Sequence, residues 1–375
     1  MSERGYLVVA GACVRYLATS ARRAGFGVIA ADRFGDLDTA AAAARLVTVP
    51  DGDAEALSRS VFAVVRETGS RCGLVYGGGF EGKAALVALL ARKFELYGNP
   101  PSTIDLVADP YRLFSLLKTL EIPTPEVRHQ APRAPEGWLV KHAASSGGMG
   151  IYRAASASKA AYTTDRYFQR QLPGPVVSAL FAADGRDPVM LGFNRLSSRA
   201  VGERPFCYGG AVTYAGLDPG QRERIHDYAR RLTRALGLRG INGLDLVLDR
   251  ETPLLLELNP RPTATLELYD CSLPGGGIAT HVAACRGRLP APPSDPGRFV
   301  HGCRVLYAPC PLEIPTLRWP RWCRDRPVPG SRIPEGSPVC TIYARGRAVG
   351  EVERTLRLRT RGFLKLLTDL GRKAA

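Results

Sequence analysis

The chain has 375 residues, 45% hydrophobic and 23% charged, enough for two or three domains around a substantial core. No apolar run approaches the ~20 residues that cross a bilayer, and the first residues have neither the apolar length nor the cleavage site of a signal peptide, so a cytoplasmic protein is expected. Nine scattered cysteines without a Cys-x-x-Cys pair argue against a zinc ribbon or disulfide framework, and a formal charge of +16 favours anionic ligands.

Residues 1–105 alternate strand and helix patterns. Tyr6–Ala10 is an apolar run, Val14–Ala24 has helical spacing, Phe26–Ala31 is a second run, Arg59–Glu67 is helical, Cys72–Tyr76 is strand-like and Lys83–Lys93 is helical. This predicts an open α/β domain on a mostly parallel sheet, whose ligands bind at the carboxyl ends of strands. Gly11-Ala12-Cys13-Val14-Arg15 lacks the repeated glycines of a dinucleotide site. Asp36 reads as a helix cap. Gly77-Gly78-Gly79-Phe80-Glu81 has two readings. Gly78 and Gly79 present N–H groups to a substrate carboxylate while Glu81 holds an ammonium, or the glycines simply make a tight turn.

In residues 106–290, Asp109-Pro110 opens a helix through Arg112. Gly137–His142 is a short strand with Lys141 at its end. It runs into Ser145, Ser146, Gly147, Gly148 and Gly150, a loop whose N–H groups can wrap a phosphate that Lys141 neutralises. This is neither a Walker A loop nor a dinucleotide fingerprint. Arg166–Phe181 reads as strand, turn, strand, and Pro219–Leu236 as an amphipathic helix. Gly243–Leu248 and Leu254–Asn259 then form a hairpin around a turn at 249–253. Asp245, Glu257 and Asn259 share a face by alternation, a set of oxygens suited to a hard divalent cation. Arg261 follows as a phosphate-type cation, and Glu267 meets substrate or solvent.

Pro290–Pro296 is the best boundary. Beyond it, residues 297–375 read as a β-rich lobe with strands at Cys303–Tyr307, Val339–Ala344 and Ala348–Val352, closed by a basic helix over Arg354–Leu370. Leu317–Arg326 interleaves Arg with Trp. Tryptophans fastening a loop is the favoured reading, and a single-stranded nucleic-acid surface is the weaker alternative.

The lysine-ended strand, the Gly-rich loop and the Asp/Glu/Asn hairpin together resemble the ATP-grasp superfamily. The resemblance covers residues 106–290, with a first lobe over 106–175 and a second over 176–290. The domain before it matches a pre-ATP-grasp domain. Gly77–Glu81, Asp109-Pro110, Asn259-Pro-Arg-Pro and Ile333-Pro-Glu-Gly-Ser-Pro-Val-Cys-Thr resemble in particular a bacterial and archaeal group of predicted ATP-dependent carboligases, some encoded beside genes of one-carbon cofactor biosynthesis. The resemblance implies a carboxylate–amine ligase that forms an amide through an acyl phosphate. It implies ATP and two Mg²⁺ (or Mn²⁺) ions, small acid and amine substrates of amino-acid-like or acidic character, no membrane partner, and it allows a homodimer. A methanofuran- or methanopterin-like coenzyme is the implied product class. The alternative is an ATP-grasp protein that senses nucleotide without catalysis. Lys141 and Arg261 are then the catalytic cations. Gln169, Arg170, Gln171 and Leu172 form the adenine hinge, and Arg112 replaces a lysine usual in the family where Pro110 stands.

Overall fold

The computed structural model describes residues 5–48, 54–68, 72–157, 165–213, 216–249, 252–292 and 299–374. The tip of the carboxylate hairpin at 250–251 and most of the boundary drawn at Pro290–Pro296 lie outside these residues.

The N-terminal unit is a five-stranded sheet in the order Arg45–Thr48, Gly27–Asp32, Tyr6–Ala10, Cys72–Tyr76, Glu95–Leu96, with every pairing parallel. Leu7, Val8, Val9 and Ala10 are fully buried, as expected for a parallel strand covered on both faces. Asp36 caps the helix Leu37–Ala42 by accepting from the Asp38 and Thr39 N–H groups, as expected. The helix Arg15–Arg23 packs on the helix Gly277–Cys285, and one apolar cluster joins Leu7 and Leu17 to Leu180, Ile241 and Ile278. The N-terminal unit is therefore fused to the central sheet by a shared core.

That central sheet has eight antiparallel strands in the order Thr252–Asn259, Arg239–Asp249, Val176–Asp184, Pro188–Val201, Arg204–Thr213, Val300–Tyr307, Pro338–Gly346, Cys323–Arg324. The helix Pro219–Leu236 covers its back. A capping box at Asp218 and Gln221 starts this helix, and Gly237 at φ +62° ends it. Ile225, Ala229 and Leu232 pack against Val177, Ala179, Phe181, Leu244 and Leu246. Alternation sends Ser178 and Asp245 to the opposite face.

Residues 299–374 form the β-rich C-terminal part, and it is joined to the central sheet. Gly210–Val212 pair with Gly302–Arg304, which extends the central sheet. The helix Val349–Ala374 lies on this extension through Val352, Leu356, Phe363 and Leu367. Trp319 and Trp322 pack on Phe363 at 5.3 and 5.7 Å between ring centroids, so the tryptophans of the Arg/Trp segment serve as fasteners. Among the described residues no helix is long and apolar enough to cross a membrane.

A separate four-stranded sheet, Val127–Arg128, Arg166–Arg170, Trp138–His142, Ile151–Arg153, carries its own core of Trp138, Val140, Ala154 and Phe168. Lys141 pairs with Tyr167 across this sheet, so both side chains leave on the face away from that core.

Candidate functional site

A cleft of about 830 Å³, partly open to solvent, separates the small sheet from the carboxylate hairpin and the N-terminal unit. Lys141, Ser145, Ser146, Gly147 and Gly148 line it from the small lobe, Glu257, Asn259 and Arg261 from the hairpin, and Tyr76, Phe80 and Glu81 from the N-terminal unit.

The hairpin brings its donors together through an irregularity. Asp245 pairs with Glu257 and Gly243 with Asn259, but Leu246 pairs with Leu255, so Leu256 is an extra residue. This bulge lets Leu255 and Leu258 both enter the core behind the sheet while Glu257 and Asn259 stay beside Asp245. Asn259 Nδ2 donates to Asp245 Oδ2 at 3.3 Å, and Asn259 Oδ1 accepts from Arg261 at 3.0 Å. Burial and then Glu257 push the Asp245 carboxyl up to about 7, with Arg261 and Lys141 opposing the shift. Burial also raises Glu257, against the pull of Lys141 and Arg261. Burial alone would push the Lys141 ammonium down, but Tyr167, Glu257 and Asp245 override it and hold the lysine charged.

This donor set fits a divalent cation shared with a ligand. Lys141 and Arg261 only partly offset two adjacent carboxylates that burial drives toward protonation, which leaves a place for a further positive charge. Among the described residues no group of three or more His, Cys, Asp or Glu side chains forms a complete metal cage. Mg²⁺ needs further oxygens, which phosphates and water supply.

The pair gives a signed pH dependence. Between 3.8 and about 7 the folded Asp245 keeps a proton that the unfolded chain has released. The ligand-free protein therefore loses this stabilisation as pH rises through that window. Mg²⁺ competes with the same protons, so its stabilisation is expected to grow across that window and level off above it. Thermal unfolding with and without Mg²⁺, from about pH 5 to about pH 8, should show a widening gap. A gap independent of pH would contradict this.

The Gly-rich loop is docked on the strand Arg204–Thr213. Tyr208 N donates to Gly147 O at 2.8 Å, and Met149 Sδ meets Cys207 Sγ at 3.5 Å. Gly148 sits at φ +70°, and a Cβ there would lie 1.9 Å from Phe206 O. Gly150 does not line the cleft but closes the turn, where its carbonyl accepts from His142 N at 3.0 Å.

Several expected residues stand elsewhere. Arg112 is half-exposed and pairs with Asp105 at 2.6 Å, while Pro110, Leu113 and Phe114 line the cleft. The Arg112 side chain does not line the cleft, and the wall there is apolar. Arg112→Ala is expected to change nucleotide affinity less than ~2-fold and stability by less than ~1 kcal/mol, checked by calorimetry and urea unfolding. None of Gln169, Arg170, Gln171 or Leu172 lines the cavity. Gln169 is buried with Oε1 accepting from Lys141 at 3.3 Å, and its Nε2 has no partner among the described residues. Arg170 points to the outer face over Trp138, and Gln171 accepts from Arg153 at 3.2 Å.

The turn at 77–81 does not open a helix, because the next helix is Ala84–Ala91. Gly79 N is already taken by Glu81 Oε2 at 2.7 Å, and Gly78 lies against the Arg261 guanidinium. Glu81 accepts from Arg261 Nε at 2.8 Å instead of standing free. Glu267 is likewise engaged. Both its oxygens accept from Arg15 at 2.5 Å, Tyr343 donates to it, and Arg15 Nε donates to Asp325 at 2.6 Å. It ties the N-terminal helix to the C-terminal strands. Sequence reasoning also missed the supports of Arg261. Asn99 Nδ2 holds Pro260 O at 2.9 Å, and Tyr16 OH holds Pro262 O at 3.0 Å. The turn signal Gly98-Asn99-Pro100 was visible, but its distant partner was not.

Residues 107–265 match the ATP-grasp domain family. No curated protein matches the chain by sequence. Among solved structures, N5-carboxyaminoimidazole ribonucleotide synthetase from Thermus thermophilus is similar with a TM-score of 0.70 and 18% identity, over 95% of this chain and 98% of that one. The L-amino acid ligase from Bacillus licheniformis has a TM-score of 0.68 and 17% identity, over 94% and 96%. Biotin carboxylase from Campylobacter jejuni has a TM-score of 0.73 and 15% identity, over 94% and 90%. At such identities these likenesses establish the fold, and it is the ATP-grasp fold that the motifs implied.

Proposed function

Starting from a chain that carries an ATP-grasp domain on an ATP-grasp fold, we propose that it is an ATP- and Mg²⁺-dependent carboxylate–amine ligase. The observation that carries this reading is that Glu257 and Asn259 line one cleft with Lys141, while Asp245, which does not itself line the cleft, pairs with Glu257 and accepts from Asn259. The similar structures support it by their names: one is an amino-acid ligase, one a ribonucleotide synthetase and one a biotin carboxylase in complex with an ATP analogue.

Asp245, Glu257 and Asn259 would hold Mg²⁺, which when bound offsets phosphate charge. Lys141 neutralises the phosphate chain, and the N–H groups of residues 146–148 surround it. A substrate carboxylate oxygen attacks the γ-phosphorus as the bond to ADP breaks, giving an acyl phosphate. An amine then attacks the acyl carbon, the C–O bond to phosphate breaks, and the amine nitrogen loses its proton. Arg261 orients the reacting carboxylate, and the docked loop keeps water from the acyl phosphate. Motif resemblance adds a product among methanofuran- or methanopterin-like coenzymes and a cytoplasmic location.

The test is ADP release screened over pairs of acids and amines, with mass spectrometry of the adduct. ADP formation that depends on both partners and yields an amide supports the reading. ADP release that no acid stimulates counts against it. The apolar wall at Pro110 favours one rival, a nucleotide-binding protein without catalysis. Tight ATP binding with no turnover for any pair would support that rival.

A further inference from the structure

We propose that Arg199, Arg304 and Arg357 form an anion site on the face of the central sheet turned away from the cleft, and that its ligand is a phosphate dianion, free or as the monoester of a small molecule. The proposal goes beyond the ligase reading and does not depend on it.

Alternation places the cluster. Asn194 Nδ2 donates to Ser178 Oγ at 3.3 Å, on the face that carries Asp245. Arg195 therefore leaves on the opposite face, where it pairs with Glu353 of the helix Val349–Ala374. Ser197 and Arg199 follow at two-residue steps and share that face. Ser197 pairs with Gly210 and Gly210 with Arg304, which makes one row across three strands. Arg304 stands two positions after Gly302, where an added Cβ would meet Val352 of the same helix at 2.7 Å. Arg357 lies one helical turn beyond Glu353 and approaches it at 4.0 Å. Two strands and a helix, far apart in sequence, thus bring guanidinium groups to one seam. The amphipathic pattern of a single helix does not explain that convergence.

The charges at this seam do not balance. The two oxygens of Glu353 are already turned to Arg195 and Arg357. Among the described residues no ion pair or side-chain hydrogen bond holds Arg199 or Arg304. Arg304 is partly buried, and burial, then Arg199 and Arg357, push its guanidinium down, with Glu353 opposing. A cation held half out of water beside like charges is compensated by an anion. Four guanidinium groups around one carboxylate leave an excess that a monocarboxylate offsets only in part. A phosphate dianion brings two charges and several oxygens, which suit planar guanidinium forks. Gly210 has no side chain and Ser197 a short one, so the row beside Arg304 keeps room for such a group. Arg199 and Arg357 are exposed, so the site opens to solvent and admits a phosphate carried on a larger molecule.

Calorimetry on the full chain tests this, with the cleft occupied by the Mg²⁺ complex of a non-hydrolysable ATP analogue. The titrants are inorganic phosphate, glycerol phosphate, acetate and a short single-stranded oligonucleotide, at about pH 7.5, where the first two are mainly dianions. Phosphate or its ester should bind at least ~10-fold tighter than acetate. Arg304→Gln and Arg199→Gln should each weaken that binding at least ~5-fold, whereas Arg361→Gln, an exposed cation on the same helix, should change it less than ~2-fold. Equal binding of the two phosphates assigns the site to the free ion, and tighter binding of the ester assigns it to a phosphorylated metabolite. Either supports the proposal. Urea unfolding gives a second readout. Without phosphate, Arg304→Gln should be no less stable than the parent, and phosphate should raise the midpoint of the parent but not of the variant. No binding outside the cleft, acetate matching phosphate, the oligonucleotide binding tightest, or Arg361→Gln weakening phosphate as much as Arg304→Gln would overturn the proposal. The last outcome would mean a diffuse basic surface. The comparison of the parent with Arg304→Gln holds whether or not the ATP analogue binds, so failure of the ligase reading leaves this test intact.

Discussion

Glu257→Gln is expected to lower ATP turnover by at least ~10²–10³-fold while the fold persists. The substitution keeps the side chain's shape and removes one of two adjacent buried carboxylates. Burial raises both of them, and Glu257 adds to the shift at Asp245. Removing the Glu257 charge therefore relieves a like-charge contact, and stability should change by no more than ~1 kcal/mol or rise. The Asp245 carboxyl should titrate lower in the variant, since its second-largest upward cause is gone. ADP release and urea unfolding measure the two effects separately. Turnover equal to the parent would remove Glu257 from the chemistry.

Gly148→Ala should be nearly as damaging for a different reason. A Cβ at this position would lie 1.9 Å from Phe206 O, and the backbone stands at φ +70°. The left-handed backbone alone costs about 1–2 kcal/mol for a residue with a side chain, and the clash forbids docking in the present geometry. The loop should lift from the strand Arg204–Thr213, which breaks the Tyr208–Gly147 hydrogen bond and the Met149–Cys207 contact. The expected result is ~10²-fold slower product formation, with a larger share of ATP lost to water as the acyl phosphate is exposed. The ratio of ADP to amide product reads this directly. Gly147→Ala is the control. It has the same backbone sign, φ +62°, but among the described residues nothing lies within 4 Å of an added Cβ, so its effect should be much milder. Equal effects of the two substitutions would refute the docking argument.

What the sequence made legible was local. Lys141 at a strand end, the glycines after it, and two acidic positions in apolar runs follow from alternation and loop chemistry over a few residues. The extra residue Leu256 was not legible, because a bulge is set by what packs on both faces. Arg112 was misplaced for a geometric reason. Pro110, Leu113 and Phe114 share one helical face, and a residue two positions after Pro110 points away from it. Glu81 and Glu267 read as free acids because their partners, Arg261 and Arg15, lie 180 and 252 residues away. How the C-terminal β-rich lobe attaches was not legible, because the pairing of Gly210 with Arg304 leaves no trace in either segment. Long-range pairing of charges and strand edges is what a single chain pattern does not encode.

The central claim is that one cation sits against Asp245, Glu257 and Asn259 and faces phosphates held by Lys141 and the Gly-rich loop. A crystal structure with Mn²⁺ and a non-hydrolysable ATP analogue tests it most directly, through the anomalous signal of the metal. The predicted result is a metal peak within ligand distance of Glu257 and of at least one of its two neighbours, bridged to the terminal phosphates. Bound nucleotide with the metal elsewhere, or with those carboxylates turned from it, would contradict the account.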